Sequence, residues 1–309
     1  MEGQRKLNKK AWSWAFYDWA NSGFATTVMA GFFPIFFKSY WAGDLDPAQS
    51  TFAIGSINSL VGLIIAISAP VLGALADVGR IKKRFLFAFA LVGILSTGYL
   101  FFIPESSWKL AIIFYAFGVI GFSGGNIFYD ALIIGVSKPD ERNRVSALGF
   151  SLGYLGGGLL FLLNVLMYTK PTWFGLSSSI EAVLWSFLSV AIWWSIFSFP
   201  IFLNVKEENL EKNVGPSSVV RVAFSNLYKT SKSIKKYKSA VIFLIAYFLY
   251  MDGVDTIIRM ATSYGSDIGL TATSMIGALL LTQFIGFPAT LVFGLYADKF
   301  GYKLSLTFG

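Results

Sequence analysis

The chain contains neither cysteine nor histidine. Disulfide frameworks, thiolate nucleophiles, Cys/His metal sites, His-based triads and imidazole proton relays are therefore excluded, and any proton chemistry falls to carboxylates, Tyr or Lys. Charge is also scarce. Asp, Glu, Lys and Arg make up 14% of the 309 residues and apolar residues 55%, against about 25% charged in an ordinary soluble domain. A soluble protein with so little charge could not clothe its surface, but a chain immersed in lipid has no such need. The net charge of +8 is not the footprint of a nucleic-acid face, because the basic residues sit in short clusters between apolar runs. No nucleotide motif supports ATP use, and no cofactor, metal or nucleic-acid partner is expected.

What the sequence has in abundance is long apolar runs. A hydrocarbon core of about 30 Å is crossed by roughly 20 residues of helix. Eight segments meet that demand: Trp12–Phe37, Phe52–Leu72, Phe85–Ile103, Trp108–Val136, Ser146–Tyr168, Ala182–Leu203, Ala240–Met260 and Ala272–Leu295. A ninth begins at Leu304. The first run is too long and too aromatic for a cleaved signal peptide and is read as a retained span. With the N-terminus cytoplasmic, inside segments hold twenty-one Lys and Arg and outside loops hold three, Lys38, Lys109 and Lys170. That asymmetry predicts a cytoplasmic N-terminus, and a plasma (inner) membrane location if the source is bacterial. The expected fold class is all-α, a polytopic membrane helical bundle. It divides into a six-helix N-terminal bundle (1–204), a cytoplasmic linker (205–238) and a partial C-terminal bundle (239–309). In the linker, Val220, Phe224, Leu227 and Ile234 recur at near-helical spacing beside Lys229, Lys232, Lys235 and Lys236, which predicts an amphipathic helix on the inner leaflet. A solvated tether is the plainer alternative.

Two loops repeat. After the second span come Gly73, Asp77, Gly79, Arg80 and Lys82; after the eighth come Gly294, Asp298, Gly301 and Lys303. In both, glycine stands four residues before aspartate, followed by a further glycine and basic residues. The two aspartates are 221 residues apart, which indicates internal duplication. The copies differ: Gly301 is three residues after Asp298, whereas Gly79 is only two after Asp77. Each Asp is expected to accept hydrogen bonds from a neighbouring helix N-terminus. This loop pair resembles the signature of the major facilitator superfamily. Trp14 to Thr27, continuing through Phe33-Pro34, and Arg144 to Gly158 resemble the first and fifth spans of its vacuole-effluxer-like, or "unknown major facilitator", family. The resemblance implies a major facilitator fold of two bundles, of which about four further spans would complete the second, so the chain is expected to be truncated at its C-terminal end. It also implies transport by alternating access of a small-molecule substrate. Fungal relatives are implicated in moving amino acids out of the vacuole, while most bacterial members lack an assigned substrate. A monomer in the lipid bilayer is expected.

Charges at membrane depth cost roughly 2.5–3.5 kcal/mol each on insertion scales and each needs a reason. Four carboxylates qualify: Asp18 in the first span, Asp130 in the fourth, and Asp252 and Asp255 in the seventh. The resemblance places these helices around a central cavity. Asp18 and Asp130 lie at similar depth, about 10 Å from the inner ends of their spans. Asn21 shares a helix face with Asp18, and Asn126 with Asp130. Proton or substrate-amine binding is one reading; a fixed structural pair is the other. Asp255 and Arg259 have the i,i+4 order of an intrahelical ion pair. Asp252, about 20 Å into its span without an obvious partner, is the first choice for a proton-coupling carboxylate. Gly149, Gly153 and Gly157 form a small-residue stripe expected to serve helix packing. Trp12, Trp14, Trp41, Trp108 and Trp173 near span ends read as interfacial belt residues. Tyr17, Tyr129, Asn164, Tyr250 and Gln283 are further candidates for the cavity wall. Two other functions compete with proton-coupled secondary transport. One is a non-transporting receptor or scaffold. The other is an intramembrane aspartyl protease, suggested by the dipeptides Tyr17-Asp18 and Tyr129-Asp130, although the Gly-x-Gly-Asp signature of those enzymes is absent. A transporter, not an enzyme, is the expectation.

Overall fold

The computed structural model of the chain describes residues 7–207, 216–234 and 236–301. Lys303 and the expected ninth run at Leu304 lie outside them. Eight helices are long and apolar enough to cross a membrane: Lys9–Trp41, Pro47–Gly79, Lys82–Phe102, Trp108–Val136, Arg142–Thr169, Ser179–Asn204, Lys238–Asp267 and Ala272–Ala297. They are called the first to eighth spans, and no strand occurs among the described residues. The protein is an all-α, multi-pass membrane bundle, as its apolar runs require.

Local signals set the ends of these helices. Asn8, Ser178 and Thr271 each turn a side-chain oxygen onto a first-turn amide, those of Ala11, Glu181 and Ser274. Asp46 and Gln49 form a capping box ahead of Pro47, so the second span begins five residues before its apolar run. Within the first span Pro34 carries no amide hydrogen, and the backbone widens into π-helical turns over Phe24–Phe32 and Phe37–Trp41.

The first span is the most enclosed element. Tyr17, Phe24, Phe33, Phe37 and Trp41 are fully buried. Phe33 stacks on Tyr115 at 3.9 Å between ring centroids, and Trp41 on Phe187 at 5.7 Å. Two tryptophans depart from expectation. Trp14 and Trp41 are core residues, with indole N–H groups donating to Tyr129 O (2.8 Å) and Ile103 O (3.2 Å), whereas Trp12 and Trp173 are exposed. The fifth span's glycine stripe does pack against the first. A Cβ at Gly149 would lie 2.8 Å from the Trp14 ring, and one at Gly157 2.7 Å from Thr26 Oγ1. The fifth span also packs on the eighth, Gly158 against Gln283 and Ala147 against Gly294. A further helix, Pro216–Ile234, lies against the second span, with Ala223 buried and Val219 beside Gly79.

Candidate functional site

The first and fourth spans run antiparallel, and their polar residues meet in consecutive layers. Asn21 Nδ2 donates to Asn126 Oδ1 at 2.7 Å. One turn nearer the end at which the chain starts, the Tyr17 and Tyr129 rings pack at 5.2 Å, and Trp14 stacks on Tyr129 at 4.2 Å. Asp18 and Asp130 flank this layer. Asp18 is half-buried and takes one long hydrogen bond from Ser22 Oγ, 3.4 Å. Asp130 is exposed. A Cβ at Gly153 would come within 3.1 Å of Asp18 Cγ, so the fifth span's glycine leaves the space that the carboxyl occupies.

This layer is under-satisfied. The Tyr17 and Tyr129 hydroxyls and Asn21 Oδ1 are buried without a hydrogen-bond partner. The Tyr17 hydroxyl faces the Trp194 indole N–H, but the two close no hydrogen bond. A buried polar atom left without a partner costs about 1–3 kcal/mol, so a cluster of them marks a place where stability is given up.

The seventh span is different. Asp255 Oδ2 pairs with Arg259 Nη2 at 3.2 Å, the intrahelical arrangement expected, and the same nitrogen reaches Ser123 Oγ of the fourth span at 3.4 Å. Asp252 is exposed, has no hydrogen bond or ion pair among the described residues, and is not drawn into the Asp18–Asp130 layer. Nearer its far end the span is bound to the first two. Thr262 Oγ1 donates to Ala30 O at 2.8 Å, the carbonyl whose α-helical partner would have been the missing amide hydrogen of Pro34. Lys38 Nζ donates to Ser263 O (3.1 Å) and pairs with Asp267 Oδ1 (2.6 Å), while Thr51 Oγ1 donates to Asp267 Oδ2 (2.9 Å).

The loop pair shares a backbone device. The residue three after the aspartate has positive φ in both copies: Arg80 at 54° and Gly301 at 83°. Their ψ angles differ, 46° at Arg80 against 159° at Gly301, so the altered glycine spacing of the first copy goes with a left-handed turn of its own and puts a side chain where the second copy has none. Asp77 differs from expectation. It pairs with Lys82 Nζ at 2.6 Å and caps no neighbouring helix. The amides of Lys82 and Lys83 that open the third span are bonded by Glu207 instead, at 3.1 and 2.9 Å. In return Lys83 Nζ donates to Phe202 O (2.7 Å) and Val205 O (2.6 Å) at the end of the sixth span. A Cβ at Gly73 would meet open space. Asp298 falls in the last turn of the helix Ala272–Phe300.

Sequence reasoning missed Glu207. The available signal was an acid just past a span, the first of three glutamates (Glu207, Glu208 and Glu211) between Lys206 and Lys212. Two wall candidates also resolve differently: Asn164 is fully buried and bonded to Thr27 and Ser189, which makes it a packing residue, and Tyr250 is exposed. Among the described residues no cluster of three or more Asp or Glu is placed to hold a metal ion.

Comparison with known proteins places the chain. The model of the vacuole effluxer Atg22-like family matches residues 6–135 and 136–308. Uncharacterized MFS-type transporter YxiO of Bacillus subtilis is 38% identical over 308 residues, 99% of this chain and 71% of that protein. Autophagy-related protein 22 is 22% identical in Yarrowia lipolytica, covering 69% of this chain, and 23% in Saccharomyces cerevisiae, covering 78%. The chain spans 48% and 54% of those two fungal relatives, about half of each. With two matched segments that run nearly end to end, the chain belongs to the vacuole effluxer Atg22-like family.

Proposed function

We propose that this protein is a secondary active transporter that moves a small solute across the membrane by alternating access, coupled to protons. Asp18 and Asp130 carry the coupling, with Asn21, Asn126, Tyr17 and Tyr129 as the surrounding polar wall. The observation that carries this reading is the convergence of two Tyr-Asp pairs from the first and fourth spans. Carboxyls brought together from two facing spans favour sharing a single proton when the cavity closes over them. A cation or amine entering the layer would displace that proton, and the unpartnered hydroxyls would gain partners. Asp252, Asp255 and Arg259 are proposed as the counterpart on the seventh span, residues 1–204 and 239–309 as the two bundles that rock, and 205–238 as their tether. The Lys38–Asp267 pair then closes the outer end, with the N-terminus cytoplasmic and the bacterial plasma membrane as location.

The relatives' names, a transporter and autophagy proteins, support transport as the activity, and the family's effluxer description supports outward movement from a compartment. Amino acids are the first solutes to test. In proteoliposomes with an imposed pH gradient, Asp18→Asn and Asp130→Asn are each expected to reduce flux of a labelled amino-acid pool to that of empty vesicles, with the fold retained. Asp252→Asn is expected to impair it less. Undiminished pH-driven flux in either of the first two variants overturns the coupling assignment. Ligand binding without flux in the unaltered protein would identify a receptor.

A further inference from the structure

The connecting helix presents an apolar face wider than the surface it packs on. Around Pro216–Ile234, 100° per residue places Val219, Ala223, Leu227, Val220, Phe224 and Tyr228 in one continuous arc of about 180°. Only part of that arc is used. Ala223 is 1% exposed where the helix meets the second span, while Val220, Phe224 and Tyr228, spaced i, i+4, i+8, are 55%, 51% and 68% exposed. The bare stripe is bordered by cations. Arg221 and Lys232 follow Tyr228 on the helical wheel, with Lys229 beyond them, and all three are exposed. From Lys212 to Met251 the sequence holds seven Lys or Arg and no Asp or Glu.

We propose that this stripe docks on the surface of an anionic lipid leaflet, with Val220, Phe224 and Tyr228 sunk at the acyl boundary and Arg221, Lys229 and Lys232 on lipid phosphates. Charge complementarity selects this occupant. A segment without a single acid is drawn to a negatively charged leaflet, where each Lys or Arg near the surface contributes on the order of fivefold in affinity. The location agrees as well: the helix lies beside Gly79, at the end of the second span, and the seventh span starts at Lys238, four residues after the helix ends. The tether between the proposed bundles would then be pinned to the membrane plane, whatever solute the protein moves.

Because these 309 residues hold no cysteine, Phe224→Cys supplies a labelling site that is unique among them. An environment-sensitive fluorophore there, in phosphatidylcholine vesicles with and without phosphatidylglycerol, reports docking through quenching by bromolipid. The expected result is strong bromolipid quenching with phosphatidylglycerol, weak quenching without it, and a return towards the weak level when Arg221, Lys229 and Lys232 are changed together to Gln. The docked-to-free ratio should fall by about fivefold per charge removed. Quenching by aqueous iodide in both lipids overturns the proposal in favour of a solvated tether. Protection from both quenchers overturns it in favour of a protein cover, either another part of the chain or a second copy. Fluorescence unaltered by the triple change overturns the role of the cations. A label at the buried Ala223→Cys, which should stay shielded from iodide throughout, verifies that each variant keeps the helix on the second span.

Discussion

The two ends of the first span treat charge in opposite ways, although each holds a buried oxygen without a partner, Ser263 Oγ at the one and Tyr17, Tyr129 and Asn21 at the other. Near Lys38 every charge is answered: Asp267 takes Lys38 on one oxygen and Thr51 on the other, Lys38 also holds Ser263 O, and Thr262 satisfies the carbonyl left over by Pro34. Near Asp18 the reverse holds. Asp18 takes one long hydrogen bond, from Ser22, and three buried oxygens beside it lack a partner. Groups of the first kind hold a shape. Groups of the second kind cost stability and persist where a bound species, rather than the fold, will satisfy them. Removing a partnered acid at the one end and an unpartnered hydroxyl at the other should therefore change stability in opposite directions.

The larger effect is expected at the closed end. Asp267→Asn leaves the Lys38 ammonium, 12% exposed, without its counter-ion. Breaking a fully buried pair costs roughly 3–5 kcal/mol; with Asp267 one-third open to solvent, about 1–3 kcal/mol is the expectation. A lower thermal transition in detergent measures the loss. Maleimide labelling of Ala30→Cys, shielded in this state, should rise together with it as the first and seventh spans part. If stability falls and labelling does not, the pair holds the fold together and is not a gate. A smaller gain of about 1 kcal/mol is expected from Tyr129→Phe, which deletes an unpartnered buried hydroxyl and keeps the ring stacked on Trp14. Loss of stability in that variant would mean the hydroxyl is satisfied after all, and the contrast between the two ends would fail.

Much of this contrast was half-visible in the sequence. Asp18 and Asp130 stand out because a charge inside an apolar run is costly whatever surrounds it, and helical periodicity put Asn21 and Asn126 on their faces. Periodicity says nothing of the register between helices, so the Asn21–Asn126 bond could not be read. The same limit hid the closed end. Asp267 carries no sign of its partners in the sequence, because Thr51 and Lys38 lie 216 and 229 residues away in the chain. Nearness to span ends predicts an interfacial place for Trp14 and Trp41, but depth along a helix does not fix which way a ring points. Asp255 with Arg259 was legible because both partners share one helix. Glu207 was not, since it caps a span that begins 125 residues earlier.

The smallest expected effect carries the contrast from unsatisfied groups to strained backbone. Arg80 and Gly301 occupy the same place after their aspartates, and both have positive φ. At Arg80, with φ 54° and ψ 46°, a Cβ crowds the following carbonyl at a cost of roughly 1 kcal/mol that Gly301 avoids. Part of that cost is offset in the unfolded chain, where glycine has more freedom to lose. Arg80→Gly should therefore raise stability by about 0.5 kcal/mol, read as a small upward shift of the thermal transition. The flux measurement then separates two causes for the arginine. If transport is unchanged, Arg80 is a tolerated departure from the pattern of the second copy. If transport falls while stability rises, the guanidinium acts at the surface of the loop, and the strain at Arg80 belongs with the unsatisfied hydroxyls of the Asp18 layer as stability given up for function.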